Sequence, residues 1–277
     1  MENLLKLVHG FDLSTTIALL ILTLAGFFVS LWIDKTKRDP KETITNFSIF
    51  AVGQFLKYTI YRSLAVGGLL AISRLLPYHI PVTPISCFAL MIIADFSFYW
   101  LHRIEHEIQI LWAIHSVHHS SKEFNTSTAL RLGWLTFFPT LMWSLVLVLI
   151  GFHPLMAVLA EQIVLVYQYW IHTESIGKMG WVDKIFNSPS NHRVHHASNP
   201  EYIDKNYGGI LMIWDWLFGT YTVEKARPRF GLVEPITSQN PFVINFEYLF
   251  KVLRKAFASR SLSRGFLILL RNPNTIE

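Results

Sequence analysis

The sequence is poor in cysteine and in charged residues, and both shortages restrict what the protein does. It contains a single cysteine, Cys87, in 277 residues, which excludes a disulfide framework and a thiolate metal site. Only 16% of the residues are charged, whereas 52% are hydrophobic, and this balance is typical of an integral membrane protein. The net charge of +5 is not gathered into a basic run that follows a nucleic-acid backbone, so nucleic acid is excluded as a partner.

Long apolar stretches predict an all-α, polytopic membrane protein with about four to five spans, since about 20 helical residues cross a hydrocarbon core. The predicted spans are residues 14–33, the later part of 48–76, 85–101, and the two halves of a membrane hairpin at 134–171. The first lacks the cleavage site of a signal peptide, so we expect it to be retained. The predicted organisation is membrane spans at 1–84, a catalytic region at 85–235 that includes the hairpin and, from Trp181 onward, a soluble cap, and a C-terminal tail at 236–277.

Histidine is abundant in the middle of the chain. Ten of the 12 histidines lie between residues 102 and 196, and apart from His153, which we interpret as structural, they are His102, His106, His115, His118, His119, His172, His192, His195 and His196. Residues three or four apart share a helix face, so each group directs its ring nitrogens one way. Imidazole binds zinc, copper and iron well, and about four ligands saturate one tetrahedral ion. The sequence therefore predicts a site for two metal ions.

The first two histidine groups cannot converge on one straight helix. The residues from His106 to His115 advance about two and a half turns at 3.6 residues per turn, which predicts a bend or break between Ile108 and Trp112. The cations at residues 35–41 place that segment on the cytoplasmic side, and alternation through the predicted spans brings all the grouped histidines to the same side. We therefore expect the metal site and the cap at the cytoplasmic face.

Some of these histidines have plainer explanations. A single His-x3-His pair is more often a packed or solvent-facing pair, and His172 alone suits a membrane interface, but two copies of His-x2-His-His favour ligation. Asp95 lies seven residues before His102, hence on the same helix face, and a carboxylate in a span is costly without a partner. We predict that it accepts the second N–H of a ligating imidazole. Other candidate supporting residues are Glu107, Glu174, Asn125, Asn191 and Asp215.

The order of these groups resembles a known superfamily. Four strings carry the resemblance: DFSFYWLHRIEH from Asp95, HSVHHSSKEFNTSTALR from His115, YQYWIHTE from Tyr167 and NSPSNHRVHHASNPEYIDKNYGGILMIWDWLFGTY from Asn187. They resemble the fatty acid hydroxylase and sterol desaturase superfamily, and most of all its alkylglycerol monooxygenase branch. The similar region covers residues 88–235.

The resemblance implies a membrane enzyme with a non-haem di-iron centre, held by the nine histidines, that hydroxylates a lipid C–H bond with dioxygen. It implies a role in activity for Glu107, and we predict Glu107 and Asp95 as residues that contribute to catalysis. The branch implies cleavage of alkylglycerol ethers with tetrahydrobiopterin as electron donor, although a redox protein is the other candidate donor. Two alternatives stay open, a lipid or sterol desaturase on the same centre and a non-catalytic zinc-binding membrane protein. Residues that bind the pterin or the lipid are not evident from the sequence.

Overall fold

The structure is a computed structural model that describes residues 39–274 and six separate helical positions, residues 14, 17, 21, 24, 25 and 28. Within residues 62–64 it describes the backbone only. The first predicted span, at 14–33, therefore lies for the most part outside the described residues. The fold described by the structure comprises residues 39–274.

Helices make up the regular structure of this region, so the all-α prediction is confirmed for it. The helices are α1 (Pro40–Leu56), α2 (Arg62–Leu75), α3 (Pro84–Glu107), α4 (Gln109–His119), α5 (Phe137–Leu149), α6 (Pro154–Trp170), α7 (Val182–Ile185), α8 (Pro189–His195), α9 (Ile213–Phe218), α10 (Pro241–Ala258) and α11 (Leu262–Leu270). A π-helical turn at Lys57–Tyr61 joins α1 to α2, and short 3-10 turns occupy Thr128–Leu130 and Pro200–Tyr202. Isolated β-bridges join Phe186 to Leu211 and Ala197 to Phe230 in the cap.

Side-chain caps explain where several helices begin. The Thr83 hydroxyl accepts a hydrogen bond from the Ser86 amide, the Ser86 hydroxyl accepts one from the Thr83 amide, and Pro84 opens α3. Four other helices begin in a related way, with a capping side chain followed by proline: Asp39 at α1, His153 at α6, Ser188 at α8 and Asn240 at α10. Proline suits the first turn because its missing amide hydrogen has no partner there in any case.

One helix of the described region, α3, is long and apolar enough to cross a membrane. Its 24 residues extend about 36 Å at 1.5 Å per residue, which exceeds a hydrocarbon core of about 30 Å. Shorter apolar helices occupy Ala65–Leu75 and Phe137–Leu149. The turn predicted in the middle of the apolar stretch 134–171 is present at Gly151, and α6 begins at Pro154 as expected; α5 is shorter than its predicted half because residues 134–136 form a turn before it. Spans beyond α3 stay a prediction.

The largest apolar core lies between α3, α5 and α6. Its buried side chains include Leu90, Ala94, Phe98, Trp143, Leu147, Val148, Ala157 and Val164. Along α3 this core reaches the histidines directly, because the ring of Phe98 lies 5.1 Å from that of His102. The histidines at the end of α3 therefore lie directly beside the packed apolar core, which we call the apolar base.

Residues 236–277, predicted as a tail, contain two helices that pack against α4. The backbone amide of Gln109 donates to the carbonyl of Arg271 (2.9 Å), and its side-chain amide donates to the Tyr248 hydroxyl (3.0 Å). Three buried residues of α10, at Ile244, Val252 and Ala256, are spaced by eight and four positions and so lie on one side of the helix. This amphipathic pattern is too polar for a span, and it places α10 and α11 beside the helix that carries the second histidine group.

Candidate metal centre

The histidines at the end of α3 face those at the end of α4 because the chain turns sharply between the two helices. Ile108 has an extended backbone (φ −113°, ψ 119°) that ends α3 and precedes α4. The predicted break is therefore confirmed, at the first residue of the expected window. α3 thus ends at the first histidine pair, and α4, which carries the second histidine group, packs against α3.

Five histidines form one buried group, which we call the five-histidine cluster. Its members are His102, His106, His115, His119 and His195, and one ring nitrogen from each lies within 4.8 Å of the others. The Nε2 atom of His115 lies 3.2 Å from that of His102 and 3.2 Å from that of His119. The cluster thus joins α3, α4 and α8.

The remaining four grouped histidines form the four-histidine cluster. Its members are His118, His172, His192 and His196, with the same 4.8 Å limit between ring nitrogens. The Nε2 atom of His172 lies 3.2 Å from that of His118 and 3.0 Å from that of His192. His172, which follows α6, has the same degree of burial as the others and is an integral member.

Each His-x2-His-His motif contributes to both clusters. His115 and His119 point into the five-histidine cluster while His118 points into the four-histidine cluster. At 100° per residue, position i+4 lies about 40° from position i and position i+3 about 60° to its other side, so one motif reaches two neighbouring centres. The clusters are adjacent, since the rings of His119 and His196 stack with centroids 4.3 Å apart.

Backbone carbonyls orient four of the rings. A carbonyl only accepts hydrogen bonds, so the bonded Nδ1 carries the proton and Nε2 of the neutral ring presents a lone pair. The four bonds run from Nδ1 of His102 to the Tyr207 carbonyl (2.9 Å), from His118 to Arg131 (3.3 Å), from His172 to Gln168 (2.7 Å) and from His195 to Lys205 (3.1 Å). Ring orientation is thus fixed by the main chain.

The facing nitrogens of the four-histidine cluster cannot hydrogen-bond one another. His118 and His172 both carry their proton on Nδ1, so their Nε2 atoms, 3.2 Å apart, present two lone pairs. Burial lowers the pKa of His172 to about 4 and that of His118 well below its usual value, so both rings are neutral at neutral pH. Two nitrogens bound to one ion at about 2.05 Å lie about 2.9 Å apart in octahedral and about 3.3 Å apart in tetrahedral geometry. The donor set therefore fits a metal ion.

The five-histidine cluster gives the same indication. Within the described residues, the buried Nε2 atoms of His106 and His195 have no hydrogen-bond partner. A buried polar atom without a partner is costly, and two of them aimed into one group of imidazoles point to a shared ligand. Both clusters are consistent with a di-metal site.

A cleft of about 560 Å³ opens onto both clusters. His106, His119, His195 and His196 line its inner end, and the cap, α4, α10 and α11 supply its walls. Trp112 of α4 lines the cleft, and its ring lies 4.8 Å from that of His106. The centre is therefore buried from bulk solvent but accessible to a molecule of substrate size.

Asp95 does not contact a histidine. Its carboxylate accepts hydrogen bonds from the amides of Ile210 (2.7 Å) and Leu211 (3.1 Å) and from the indole of Trp214 (2.9 Å). The predicted hydrogen bond to a ligand imidazole is wrong, because seven residues separate Asp95 from His102 by about 10.5 Å along the axis although they share a face. Asp95 instead fixes the cap to α3.

The turn that Asp95 holds is tightly packed. A Cβ atom on Gly209 would lie 2.8 Å from Phe98 and 2.9 Å from Val164, and one on Gly208 would lie 2.5 Å from the Leu211 carbonyl. These glycines bring the backbone close to the apolar base, which places the neighbouring Tyr207 carbonyl beside His102.

Glu107 also lies away from the histidines. Its side chain, 37% exposed, forms an i,i+4 ion pair with Arg103 (2.8 Å). A role for Glu107 in activity stays a prediction that rests on the resemblance.

Of the other candidate supporting residues, Asp215 comes nearest to the predicted role of holding a ligating histidine in position. It accepts hydrogen bonds from the amides of Tyr207 and Gly208 (both 2.8 Å) and from the Thr220 hydroxyl, and burial raises its pKa to about 6. It thereby positions the carbonyl that orients His102. Asn191 binds cap carbonyls, Asn125 caps the turn at Ser127, and Glu174 is exposed.

Two acidic residues near the rings were not predicted. The buried Glu105 carboxylate lies 3.5 Å from Nδ1 of His115, and that of Asp204 lies 4.0 Å from Nδ1 of His106. The sequence does indicate Glu105, because it follows His102 by three residues and therefore shares its helix face. Asp204 lies in a loop with a left-handed backbone (φ 59°), which no local pattern indicated.

The fold and these two adjoining, buried, all-histidine clusters define a helical protein whose histidines are consistent with a di-metal site. Residues 87–220 match the family model described as fatty acid hydroxylase, and the chain belongs to this family. The resemblance seen in the sequence is confirmed.

Curated relatives extend the similarity. The chain is 39% identical to alkylglycerol monooxygenase of Homo sapiens over 198 residues, which cover 72% of this chain and 44% of that protein. It is 33% identical to an ornithine lipid hydroxylase of Rhizobium tropici (47% of this chain, 40% of that protein) and 27% identical to a Delta(7)-sterol 5(6)-desaturase of Aspergillus fumigatus (52% and 50%). The chain thus spans less than half the length of the alkylglycerol monooxygenases it matches. No solved structure matches it.

Proposed function

We propose that the chain is a membrane di-iron monooxygenase that hydroxylates a lipid C–H bond with dioxygen. The observation that carries the proposal is the pair of adjoining histidine clusters, buried and yet open to one cleft. Imidazole suits iron as well as zinc and copper, and membership of the fatty acid hydroxylase family supports iron.

The two clusters supply the ligands. His102, His106, His115, His119 and His195 would hold one ion, and His118, His172, His192 and His196 the other. When bound, the two irons supply the redox chemistry that activates dioxygen. The chain contributes orientation, through the four carbonyls that hold Nδ1, and exclusion of water, through burial of every ring.

The narrower reaction that we propose is cleavage of an alkylglycerol ether. Similarity to alkylglycerol monooxygenases of four organisms, at 35–40% identity, supports it. Insertion of oxygen at the carbon next to the ether oxygen gives a hemiacetal, which collapses to an aldehyde and a glycerol derivative. One oxygen atom enters the lipid, and the other leaves as water with two electrons and two protons from the donor. We propose tetrahydrobiopterin as that donor, with a redox protein as the other candidate.

The proposed setting is an integral, multi-pass protein with its metal site on the cytoplasmic side. The length and composition of α3 support a span that ends at the histidines. Exposed apolar side chains on α10 and α11, such as Phe257 (82% exposed) and Leu262 (96%), lie among the cations Arg254, Arg260 and Arg264. This combination favours contact with an anionic membrane surface beside the cleft.

A desaturase on the same centre is the second candidate, because the chain is also similar to sterol desaturases at 26–27% identity. The two reactions differ in the fate of oxygen. Only the monooxygenase transfers an atom of dioxygen to the lipid.

The test uses the purified chain in lipid nanodiscs, loaded with Fe(II) and supplied with an alkylglycerol and ¹⁸O₂. We expect two irons per chain and an aldehyde that carries ¹⁸O, formed when tetrahydrobiopterin is present and absent when it is omitted. Alkene formation without label would support the desaturase. Tightly held zinc, with no turnover after iron loading, would support the non-catalytic alternative and contradict the proposal.

A further inference from the structure

Large apolar side chains are exposed on one surface of the cap, which we call the cap patch. Its members are between 46% and 68% exposed, and they are Trp181, Ile185, Ile213, Trp216 and Leu217. They come from α7, with the residue before it, and from α9. Two hydrogen bonds join these segments, from the Trp216 indole to the Lys184 carbonyl (3.1 Å) and from the Met212 amide to the Ile185 carbonyl (2.9 Å). Exposed apolar side chains grouped in this way indicate that something covers them.

The orientation of α9 is the reverse of that of a surface helix in a soluble domain. Its single charged side chain, Asp215, is buried and accepts hydrogen bonds from two amides of the cap. Its exposed side chains are all apolar: Ile213, Trp216, Leu217 and Phe218. A helix at a water-facing surface buries its apolar side chains and exposes its charged ones. The outer side of α9 therefore suits an apolar medium.

α9 packs on the exposed apolar side of α3. One stripe of α3, in which residues recur every three or four positions, contains Ile85, Phe88, Ile92 and Phe96. The first three of these side chains are exposed. The fourth is covered by α9, since the Phe96 ring lies 4.9 Å from that of Trp214 and 6.3 Å from that of Phe218. The cap patch therefore lies on the side of α3 that faces away from the apolar base.

The position of this contact along α3 sets the depth of α9. Between Pro84 and Arg103, the charged residue of α3 is the buried Asp95, and Arg103 itself is partly exposed. These 19 steps cover about 28 Å, which matches a hydrocarbon core of about 30 Å. Phe96 and Trp100, whose rings contact α9, lie about 18 and 24 Å from Pro84. If α3 spans the bilayer as proposed, α9 lies within the hydrocarbon layer of the leaflet in which α3 ends.

The polar groups next to α9 are compatible with this depth. Non-helical backbone is tolerated at membrane depth where it is buried in protein and its polar groups are satisfied. The turn before α9 meets this condition, because Asp95 accepts hydrogen bonds from the Ile210 and Leu211 amides, and Asp215 accepts one from the Gly208 amide. Asp95 thereby connects the turn to the spanning helix without exposing a carboxylate to lipid.

The edge of the cap patch has the composition of a membrane interface. Two of its members are tryptophans, which are enriched at the level of the lipid head groups. Lys178 and Lys184 are exposed beside it, and a lysine can extend its ammonium to the head groups while its aliphatic part stays in the apolar layer. A surface that binds another protein has no need for cations in this position.

We propose that the cap patch is embedded in the leaflet in which α3 ends, so that lipid acyl chains cover α7 and α9. The cap, which the sequence predicts to be soluble, then contains a surface that lies in the bilayer without crossing it. The proposal rests on the proposed span α3. It goes beyond the proposed reaction, because it requires neither the metals nor turnover.

The test is spin labelling of single-cysteine variants of the full chain in phosphatidylcholine nanodiscs. The background is Cys87→Ser, since the chain has no other cysteine. A nitroxide on Leu217→Cys reports on the cap patch, and one on Phe88→Cys reports on the exposed stripe of α3. Ala226→Cys is the control, at an exposed position of the cap between a lysine and an arginine. Collisions of each nitroxide are measured with oxygen, which concentrates in lipid, and with a water-soluble nickel chelate.

We expect the labels at positions 217 and 88 to collide more often with oxygen than with nickel, and the label at position 226 to show the reverse order. Ile213→Cys is a second reporter of the cap patch and should agree with Leu217→Cys. Melting temperatures equal to that of the Cys87→Ser background report that the variants are folded.

Three outcomes would overturn the proposal. If nickel collisions dominate at positions 217 and 213 while position 88 is in lipid, the cap patch faces water and the proposed span is unaffected. Few collisions with either reagent at positions 217 and 213 would mean that a second copy of the chain or another protein covers the patch. Nickel collisions at position 88 would contradict the span α3 and this proposal together. Lipid contact at all the expected positions without turnover would contradict the proposed reaction alone and support this proposal.

Discussion

Asp95→Asn tests whether this carboxylate acts on the metals or on the cap. The structure directs three donors at it, the amides of Ile210 and Leu211 and the indole of Trp214. An asparagine has one acceptor oxygen, and its NH₂ group must then face at least one of these N–H groups. Because an unsatisfied buried donor costs about 1–3 kcal/mol and hydrogen bonds to a charged acceptor contribute about 1.5–3 kcal/mol, we expect a loss of about 2–4 kcal/mol of stability.

The assay is the melting temperature of the purified protein in detergent, followed by intrinsic fluorescence. At about 2–4 °C per kcal/mol for a domain of this size, the expected decrease is about 5–15 °C. Glu107→Gln is the control on the same helix: its exposed i,i+4 pair with Arg103 contributes about 0–1 kcal/mol, so its melting temperature should change by a few degrees at most.

Iron content separates the two possible roles of Asp95. Below the melting transition, Asp95→Asn should still bind close to two irons per chain, because its carboxylate contacts the cap and not a ring. An unchanged melting temperature together with a 10- to 100-fold loss of metal affinity, the usual cost of removing a ligand's hydrogen-bond partner, would refute this reasoning.

Four further predictions follow from the site. His118→Ala and His195→Ala should each reduce bound iron from two to one per chain and abolish turnover, since they belong to different clusters; loss of both ions in either variant would contradict separate clusters. Gly209→Ala should destabilise the protein by about 1–3 kcal/mol through overpacking, whereas Gly67→Ala, with open space around it in α2, should stabilise it by about 0.5–1 kcal/mol, both read from melting curves. Glu107→Gln should lower turnover with iron content unchanged, and normal turnover would remove Glu107 from the mechanism. Chelation of iron should lower the melting temperature, because an ion that binds only the folded state at 100 times its Kd stabilises it by about 2.7 kcal/mol.

The helical part of the site was predictable because helix periodicity is local. The grouping of the histidines and the break at Ile108 both follow from 3.6 residues per turn, and both appear in the structure. Even the division of each His-x2-His-His motif between clusters is implied by the angles at i+3 and i+4.

The partners of the rings were not predictable in the same way. Asp95 shares a helix face with His102, but seven residues at 1.5 Å per residue separate the two by about 10.5 Å along the axis, which is too far for a hydrogen bond between them. The groups that accept the hydrogen bonds from Nδ1 are main-chain carbonyls, including those of Tyr207 and Lys205. Every residue has a main-chain carbonyl, so the sequence does not indicate which one a ring contacts. The packing of α10 against α4 depends on tertiary contacts between segments more than 100 residues apart.

The sharing of each His-x2-His-His motif has a consequence for the pair of ions. Neighbouring rings of one short helix belong to different clusters, so the pitch of α4 and α8 sets the spacing between the clusters. No bridging side chain is needed to maintain that spacing. A displacement of either helix would therefore act on both clusters, and on the ions they would hold, at the same time.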